Sequence, residues 1–528
     1  MKNKRHPFAK LLFACCILTV ASVLNAGTER PNILLIVADD LNYDSLGFVN
    51  GGVAPDVTPN IDRLHGESIS FDKAFTTVSV CQPSRQSMLS GLLPHNYGSG
   101  GFFPMEEGTP TIVNWLREAG YITGNIHKLH HMLPESSFKW HYDNKRLGLK
   151  APDGVVGRHP EMIAGAFRKL IHAADKKEKP FFMVVNSADP HRPFHGDPMR
   201  AGDFFWGFNQ KAIQPMDPSR VYNPEEVVVP PTLPDLPGIR TDLAKYASSI
   251  RRLDDTVGAC LSVLDDLDKE KTTLVIFVAD NGMPLPFAKF DVYLGSNQTP
   301  LLMRWPELIK QPVVDEHHLV SLMDLTPTIL ELVGLNVPDG LDGQSLGAIL
   351  QGSEPENWRD SIVWLRNSDI YYGDAIRRSL KSRPDFKKEL EARNWVERPD
   401  HPSPDTFYRE KEMRTWFDGR YGYIYNHCFD PDGLENNPLG LIVPYSDSTA
   451  RAMSLNSEKD TDVKARYQHY LLRAKEELYD WSKDPGSQQN LALDPEYAEV
   501  LARARKGLLQ WMQQTADPLS SAFQQDIR

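Results

Sequence analysis

Two apolar runs in this chain stop at acidic pairs. Residues 32–38 (NILLIVA) end at Asp39-Asp40, and residues 273–279 (TLVIFVA) end at Asp280-Asn281-Gly282. Both have the length and β-branched content of buried strands. If the strands share one sheet, their carboxyl ends bring three carboxylates and one amide oxygen into the crevice where open α/β sheets hold ligands. A hard cation suits such an all-oxygen set: calcium first, taking six to eight oxygens at about 2.3–2.6 Å, and magnesium second. Asp and Asn after a strand are also ordinary turn formers. One pair alone reads that way; two matched pairs favour a metal.

A thiol is the next candidate. Of five cysteines, Cys15 and Cys16 lie in an N-terminal leader, which leaves Cys81, Cys260 and Cys428. An odd number in an exported chain argues against a disulfide framework and for a cysteine kept for its reactivity. A third strand-like run, residues 181–186 (FFMVVN), leads into Asp189-Pro190-His191.

The segment around the first of these cysteines carries a resemblance. Cys81-Gln82-Pro83-Ser84-Arg85, continued by Gln86-Ser87-Met88-Leu89-Ser90-Gly91, resembles the type I sulfatase signature, Cys-x-Pro-Ser-Arg with a later Ser/Thr-Gly. Residues 30–40, Thr58-Pro59-Asn60, Gly120-Tyr121-Ile122-Thr123-Gly124 leading to Lys128, and Glu477-Leu478-Tyr479-Asp480 are similar to other segments of that family. The likeness spans nearly the whole chain after the leader. Three runs look most like the sulfamidase members, which cleave N-sulfoglucosamine: residues 188–192, 280–286 and 324–330.

The resemblance implies an alkaline-phosphatase-like α/β fold, a large mixed sheet between helices with a smaller C-terminal α+β unit. It implies that a maturase oxidises Cys81 to formylglycine, whose hydrate attacks sulfur and later expels sulfate, a two-step nucleophilic route. Asp39, Asp40, Asp280, Asn281 and the modified Cys81 would hold calcium, and Arg85 would hold the nucleophile's hydroxylate. Lys128 and Lys289 would clamp sulfate oxygens. His130 would take the proton as the aldehyde reforms, and His191 would protonate the leaving group. One position departs from the pattern: the family usually has glycine before this lysine, and here it is His127.

Positioning these residues needs alternating strands and helices. Helical patterns fall at residues 111–119, capped by Gly120, and at 243–267. Residues 195–240 are proline-rich and read as an extended covering segment. They carry Phe204, Phe205 and Trp206, which suit packing or a sugar platform. Residues 27–352 read as the catalytic domain and 353–528 as the smaller domain. In the latter, residues 416–429 look like a hairpin turning near Asp418-Gly419, and 495–515 like an amphipathic helix that packs on it. The charged stretch 377–411 looks like an excursion, helical in part at 386–395; Arg377, Arg378 and Lys381 could border the cleft.

The first 26 residues read as a cleaved signal peptide, with Lys2, Lys4, Arg5 and Lys10 before an apolar run of 14 that is too short to span a bilayer. The expected location is periplasmic or secreted, without stable membrane insertion. The formal charge of −12 becomes −16 once the leader's four cations are gone. Such a chain is a poor nucleic-acid binder and needs a local basic pocket for an anionic substrate. That substrate is expected to be a sulfated glycan, bearing N-sulfate or O-sulfate. A phosphate or phosphonate monoesterase on the same fold is the rival reading, and a glycan binder is the reading if Cys81 stays a thiol.

Overall fold

A computed structural model of the protein describes residues 30–151, 153–197, 215–367, 412–427 and 448–528. The leader, Phe204 to Trp206, the stretch 377–411 and Cys428 lie outside the described residues. The strands are β1 (Asn32–Asp39), β2 (Ile69–Phe71), β3 (Ala74–Phe75), β4 (Ile122–Ile126), β5 (Phe181–Pro190), β6 (Thr273–Ala279), β7 (Leu301–Arg304), β8 (Val313–Asp315), β9 (Val320–Ser321), β10 (Ile362–Arg366), β11 (Met413–Phe417), β12 (Tyr421–Asn426) and β13 (Glu476–Asp480). The helices used below are α1 (Cys81–Ser90), α2 (Ile112–Glu118), α3 (Pro160–Asp175), α4 (Pro237–Asp266), α5 (Leu325–Leu332), α6 (Thr461–Leu471) and α7 (Ala498–Gln514).

Seven strands form the main sheet in the order β4-β5-β1-β6-β7-β2-β8. β1 lies between β5 and β6 and is parallel to both, so the two acidic strand ends are neighbours, with Ala38 opposite Ala279. β7 runs antiparallel to β6, which makes the sheet mixed. Side chains of β1 alternate between two cores. Leu34, Ile36 and Ala38 pack with Phe167 of α3 and Leu253 of α4. Ile33, Leu35 and Val37 pack with Met88 of α1, Leu116 of α2 and Ile329 of α5. Helices therefore cover both faces, and the apolar runs are strands because neither face meets water.

The second sheet is antiparallel, in the order β10-β11-β12-β13. One face, with Tyr423, Tyr425 and Leu478, packs on Leu501, Ala504 and Leu508 of α7. The other joins the main core, where Trp364 stacks on Phe75 with ring centroids 4.9 Å apart.

Three boundaries differ from the sequence reading. α4 begins at Pro237, so residues 237–240 are a helix start and not extended chain; proline is favoured at a first helical position because its missing N–H has no partner there in any case. β5 continues past Asn186 to Pro190, which sets His191 directly at its end. The hairpin turns at residues 418–420, with Gly419 at φ +90°, and its first strand begins at Met413.

Buried charge ties the second sheet to the first. Arg473 donates to Glu477 on β13 at 2.7 Å and to Asp291 at 2.6 Å. Tyr479 donates to the other oxygen of Glu477 at 2.6 Å. Burial alone would raise the Glu477 carboxyl, but Arg473, His469 and Tyr479 hold it well below the usual carboxylate range. A depressed folded pKa gives stability that is present above the unfolded value of about 4.3 and is lost as pH falls toward the folded one. The melting temperature should therefore fall more steeply below about pH 4.5 in the parent than in Glu477→Gln; parallel profiles would remove this role.

Candidate active site

β1 and β6 deliver their acids side by side, but not in straight continuation. The β1–β5 register shifts between Val37 and Asp39, and Asp40 turns into the left-handed region at φ +68°. The Asp40 backbone N–H donates to Asp280 Oδ1 at 3.0 Å. Gly282 lets the next loop close in: a Cβ there would stand 1.9 Å from the Gly295 carbonyl and 2.8 Å from Asn42 Oδ1. The Asp-Asn-Gly run therefore needs its glycine for backbone approach.

Cys81 is the first residue of α1, whose ten residues are all buried although most are polar. Their polar groups have fixed partners. Ser84 Oγ donates to the Asp280 carbonyl at 2.6 Å, and Gln82 Nε2 donates to the Phe103 carbonyl at 2.6 Å. Cys81 Sγ lies 3.6 Å from Asp40 Oδ1. Burial pushes the Cys81 thiol well above its ordinary range; Lys289 opposes this, and Asp280, Asp39 and Asp40 add to it. A thiol held protonated is a poor nucleophile.

The cations sit on these acids. Arg85 reaches Asp280 Oδ2 through Nε at 2.9 Å and Nη2 at 2.7 Å, and Nη2 lies 3.7 Å from Asp39. Lys128 Nζ is 2.6 Å from Asp39 Oδ2, and Lys289 Nζ is 2.6 and 2.8 Å from the two Asp40 oxygens. His191 Nε2 lies 3.6 Å from Asp40 Oδ2. His130 stands exposed at the rim, its ring 4.3 Å from that of His131. The structure thus brings Cys81, Arg85, Lys128, His191 and Lys289 together with both acidic pairs, and leaves His130 at the edge.

The donors fit a divalent metal. One ligand atom each from Asp39, Asp40, Cys81 and His191 lies within 4.8 Å of the others. Asn281 Oδ1 is buried there without a hydrogen-bond partner. Burial and the neighbouring carboxylates push Asp280 up to about 7 against the pull of Arg85. Like charges this close favour a cation. Both Asp280 oxygens already have donors, the Asp40 N–H and Arg85, and both Asp40 oxygens are met by Lys289.

Several supporting residues gave no recognisable signal in the sequence. Asn186, late in β5, accepts from Arg85 Nη1 and donates to the Ile126 and His127 carbonyls at 2.8 and 3.2 Å. It couples α1 to the turn that carries Lys128. A polar residue closing an apolar run was its only mark. Asp189 is gripped by Arg252 through two bonds of 2.7 and 2.8 Å, and Arg158 Nη2 donates to the His191 carbonyl at 2.8 Å. His127 and Lys128 have φ of +61° and +56°. Glycine before the lysine would take that conformation without strain, and the His127 ring is accommodated because Gly157 has no side chain: a Cβ there would lie 2.8 Å from its Nδ1.

The loop bearing Lys289 is held from two sides. Phe290 N–H donates to Ser79, two residues before Cys81, at 3.0 Å. From the second sheet, Arg366 donates to the Phe290 carbonyl at 2.6 Å, Trp364 and Thr415 to the Val292 carbonyl at 2.9 Å each, and Arg473 to Asp291.

Fold and site together define an α/β protein whose buried Cys81 sits among clustered carboxylates that could bind a metal and the cations paired with them. The family model for sulfatases matches residues 31–335, and the chain belongs to that family. It is a hydrolase of sulfuric esters or sulfamates. Human N-sulphoglucosamine sulphohydrolase is 31% identical over 519 residues, covering 96% of this chain and 94% of that protein. An ulvan-active sulfatase of Formosa agariphila is 24% identical over 527 residues, covering 93% and 76%. Among solved structures, the phosphonate monoester hydrolase of Agrobacterium radiobacter superposes with a TM-score of 0.63 at 18% identity, covering 92% of this chain and 96% of that one.

Arg473→Leu should leave Asp291 and Glu477 buried without their cation and cost about 3–5 kcal/mol of stability in urea unfolding. Arg473→Lys should recover part of that loss. A loss below about 1 kcal/mol for Arg473→Leu would mean that the pair does not join the two sheets as described.

Proposed function

We propose that this protein is an exported, calcium-dependent sulfatase that removes sulfate from a sulfated glycan, with N-sulfoglucosamine as the leading candidate group. The observation that carries the reading is Cys81 at the start of a wholly buried helix, 3.6 Å from Asp40, with Arg85, Lys128 and Lys289 on the same acids. The 31% identity to N-sulphoglucosamine sulphohydrolase over nearly the full chain supports the N-sulfate choice.

In this reading a maturase converts Cys81 to formylglycine, and the hydrate supplies an oxygen nucleophile where a thiol would be a weak one. Asp39, Asp40, Asp280, Asn281 and residue 81 would hold calcium, which would supply positive charge for that nucleophile and for a sulfate oxygen. Lys128 and Lys289 bind the remaining sulfate oxygens, shifting from their carboxylate partners as the anion enters. Arg85, fixed by Asp280 and Asn186, orients residue 81. His191 gives its proton to the departing nitrogen or oxygen, held in place through the Arg158 bond to its carbonyl. His130, at the rim, accepts the proton from residue 81 as sulfate leaves. Residues 1–26 act as the export signal, residues 27–352 carry the chemistry, and residues 353–528 brace the Lys289 loop.

The tryptic peptide 74–85 from the native host should weigh about 18 Da less than its thiol form, the change for replacing thiol by aldehyde at a reactive cysteine. An unshifted mass from a host that matures other sulfatases would refute the formylglycine route. Matured protein should hydrolyse N-sulfoglucosamine faster than O-sulfated sugars or phosphate esters. Faster ester turnover would favour an O-sulfatase, and faster phosphate or phosphonate turnover would overturn the reading. Chelation should abolish turnover and calcium should restore it better than magnesium.

A further inference from the structure

Beyond the catalytic pocket, a cleft of about 570 Å³ is lined by residues on both sides of β4, the outermost strand of the main sheet. Leu129 and Met132 line it, so it shares a wall with the turn that carries Lys128 and His130. Its polar lining is mostly donors. Arg117 Nη1 donates to the Lys139 carbonyl at 2.8 Å, and Arg146 Nη1 donates to the Trp140 carbonyl at 3.1 Å. Both exposed guanidiniums are therefore anchored on one short stretch of backbone and held over the same space.

His141 adds a directed donor. The Thr123 backbone N–H donates to His141 Nδ1 at 3.2 Å, so Nδ1 is an acceptor and the neutral ring carries its proton on Nε2. Burial, followed by Arg117, Lys177, Lys179 and Arg146, lowers the ring's pKa to about 4, a sign of how many cations gather here. Lys139 lines the same cleft. Two acids are present as well: Asp143 accepts the Arg146 backbone N–H at 2.8 Å, and Glu135 is exposed. On a chain of formal charge −12, this concentration of anchored cations is not what general surface composition supplies.

We propose that this cleft is a second binding site for the substrate chain, in which Arg117, Lys139, His141 and Arg146 hold a sulfate or carboxylate group of an extended anionic saccharide whose reacting sulfate lies beside Cys81. The proposal rests on the glycan-sulfatase reading above. Planar guanidiniums match such oxyanions with paired hydrogen bonds. Leu129 and Met132 belong both to the cleft and to the turn that follows Lys128. The cleft raises affinity for long chains and takes no part in the chemistry.

The test uses matured full-length enzyme and the double variant Arg117→Glu/Arg146→Glu, both positions exposed. A sulfated octasaccharide and the sulfated monosaccharide that the parent turns over fastest are assayed for turnover, and octasaccharide binding is measured by calorimetry. The octasaccharide KM and Kd should rise roughly tenfold, the loss expected for a few exposed charge-assisted contacts, and monosaccharide kcat/KM should stay within about twofold. Unchanged octasaccharide binding, or an equal loss on both substrates, overturns the proposal. Equal affinity of the parent for a polyphosphate of matched charge, lost in the variant, also overturns it, because the cleft would then recognise charge and not saccharide. If the parent binds octasaccharide through this cleft but hydrolyses no sulfated sugar, the cleft stands and the proposed function fails.

Discussion

Three carboxylates, Asp39, Asp40 and Asp280, are held within one buried crevice, and their mutual repulsion is the constraint on which the surrounding structure depends. Burial penalises each charge separately, and proximity penalises them together. Asp39 nevertheless stays well below the usual range: against the cost of burial, Lys128, His191, Arg85 and Lys289 all favour its ionised form. The same carboxylates, already paired with cations, are of a kind that could bind a divalent metal.

Keeping such a cluster requires a rigid frame, because a buried charge that loses its partner costs several kcal/mol. Each charged group is therefore held by more than one element. Arg85 bridges β6, through Asp280, to β5, through Asn186. Asp40 is met by Lys289 from one loop and His191 from another. The Lys289 loop is in turn fixed both by Ser79, two residues before Cys81, and by the second sheet. That sheet is remote in sequence from Cys81 and its acids, yet Arg473, just before β13, reaches to within two residues of Lys289.

Much of this was legible in the sequence. The apolar runs of β1 and β6 and the acids that follow them identify strands, their burial and the side of the sheet where a metal would lie. The Cys-x-Pro-Ser-Arg run places Cys81 and Arg85 one turn apart on α1 because its spacing is local. Lys128 and His191 also follow local patterns at strand ends. His130 follows Lys128 in a short helical turn, with its ring exposed but close enough to feel the charges of Lys128, Asp39 and Arg85. The glycan-facing segments suggested by composition, Phe204 to Trp206 and Arg377 to Lys381, fall outside the described residues.

The two acidic pairs with which the chain first announces itself were settled by sequence in kind and by folding in arrangement. Residue type and the end of an apolar run determine that oxygens gather at a strand end, because strands alternate and terminate according to local chemistry. That β1 and β6 are neighbours, that the β1–β5 register shifts before Asp39, and that Asp280 pairs with Arg85, depend on pairings across 149 to 241 residues of chain. The same is true of Arg473 with Asp291, and of Arg252 with Asp189. Long-range contacts leave no period and no spacing in a single sequence, because either partner taken alone reads as an ordinary surface charge. Only the packed structure decides which of those charges are buried against each other.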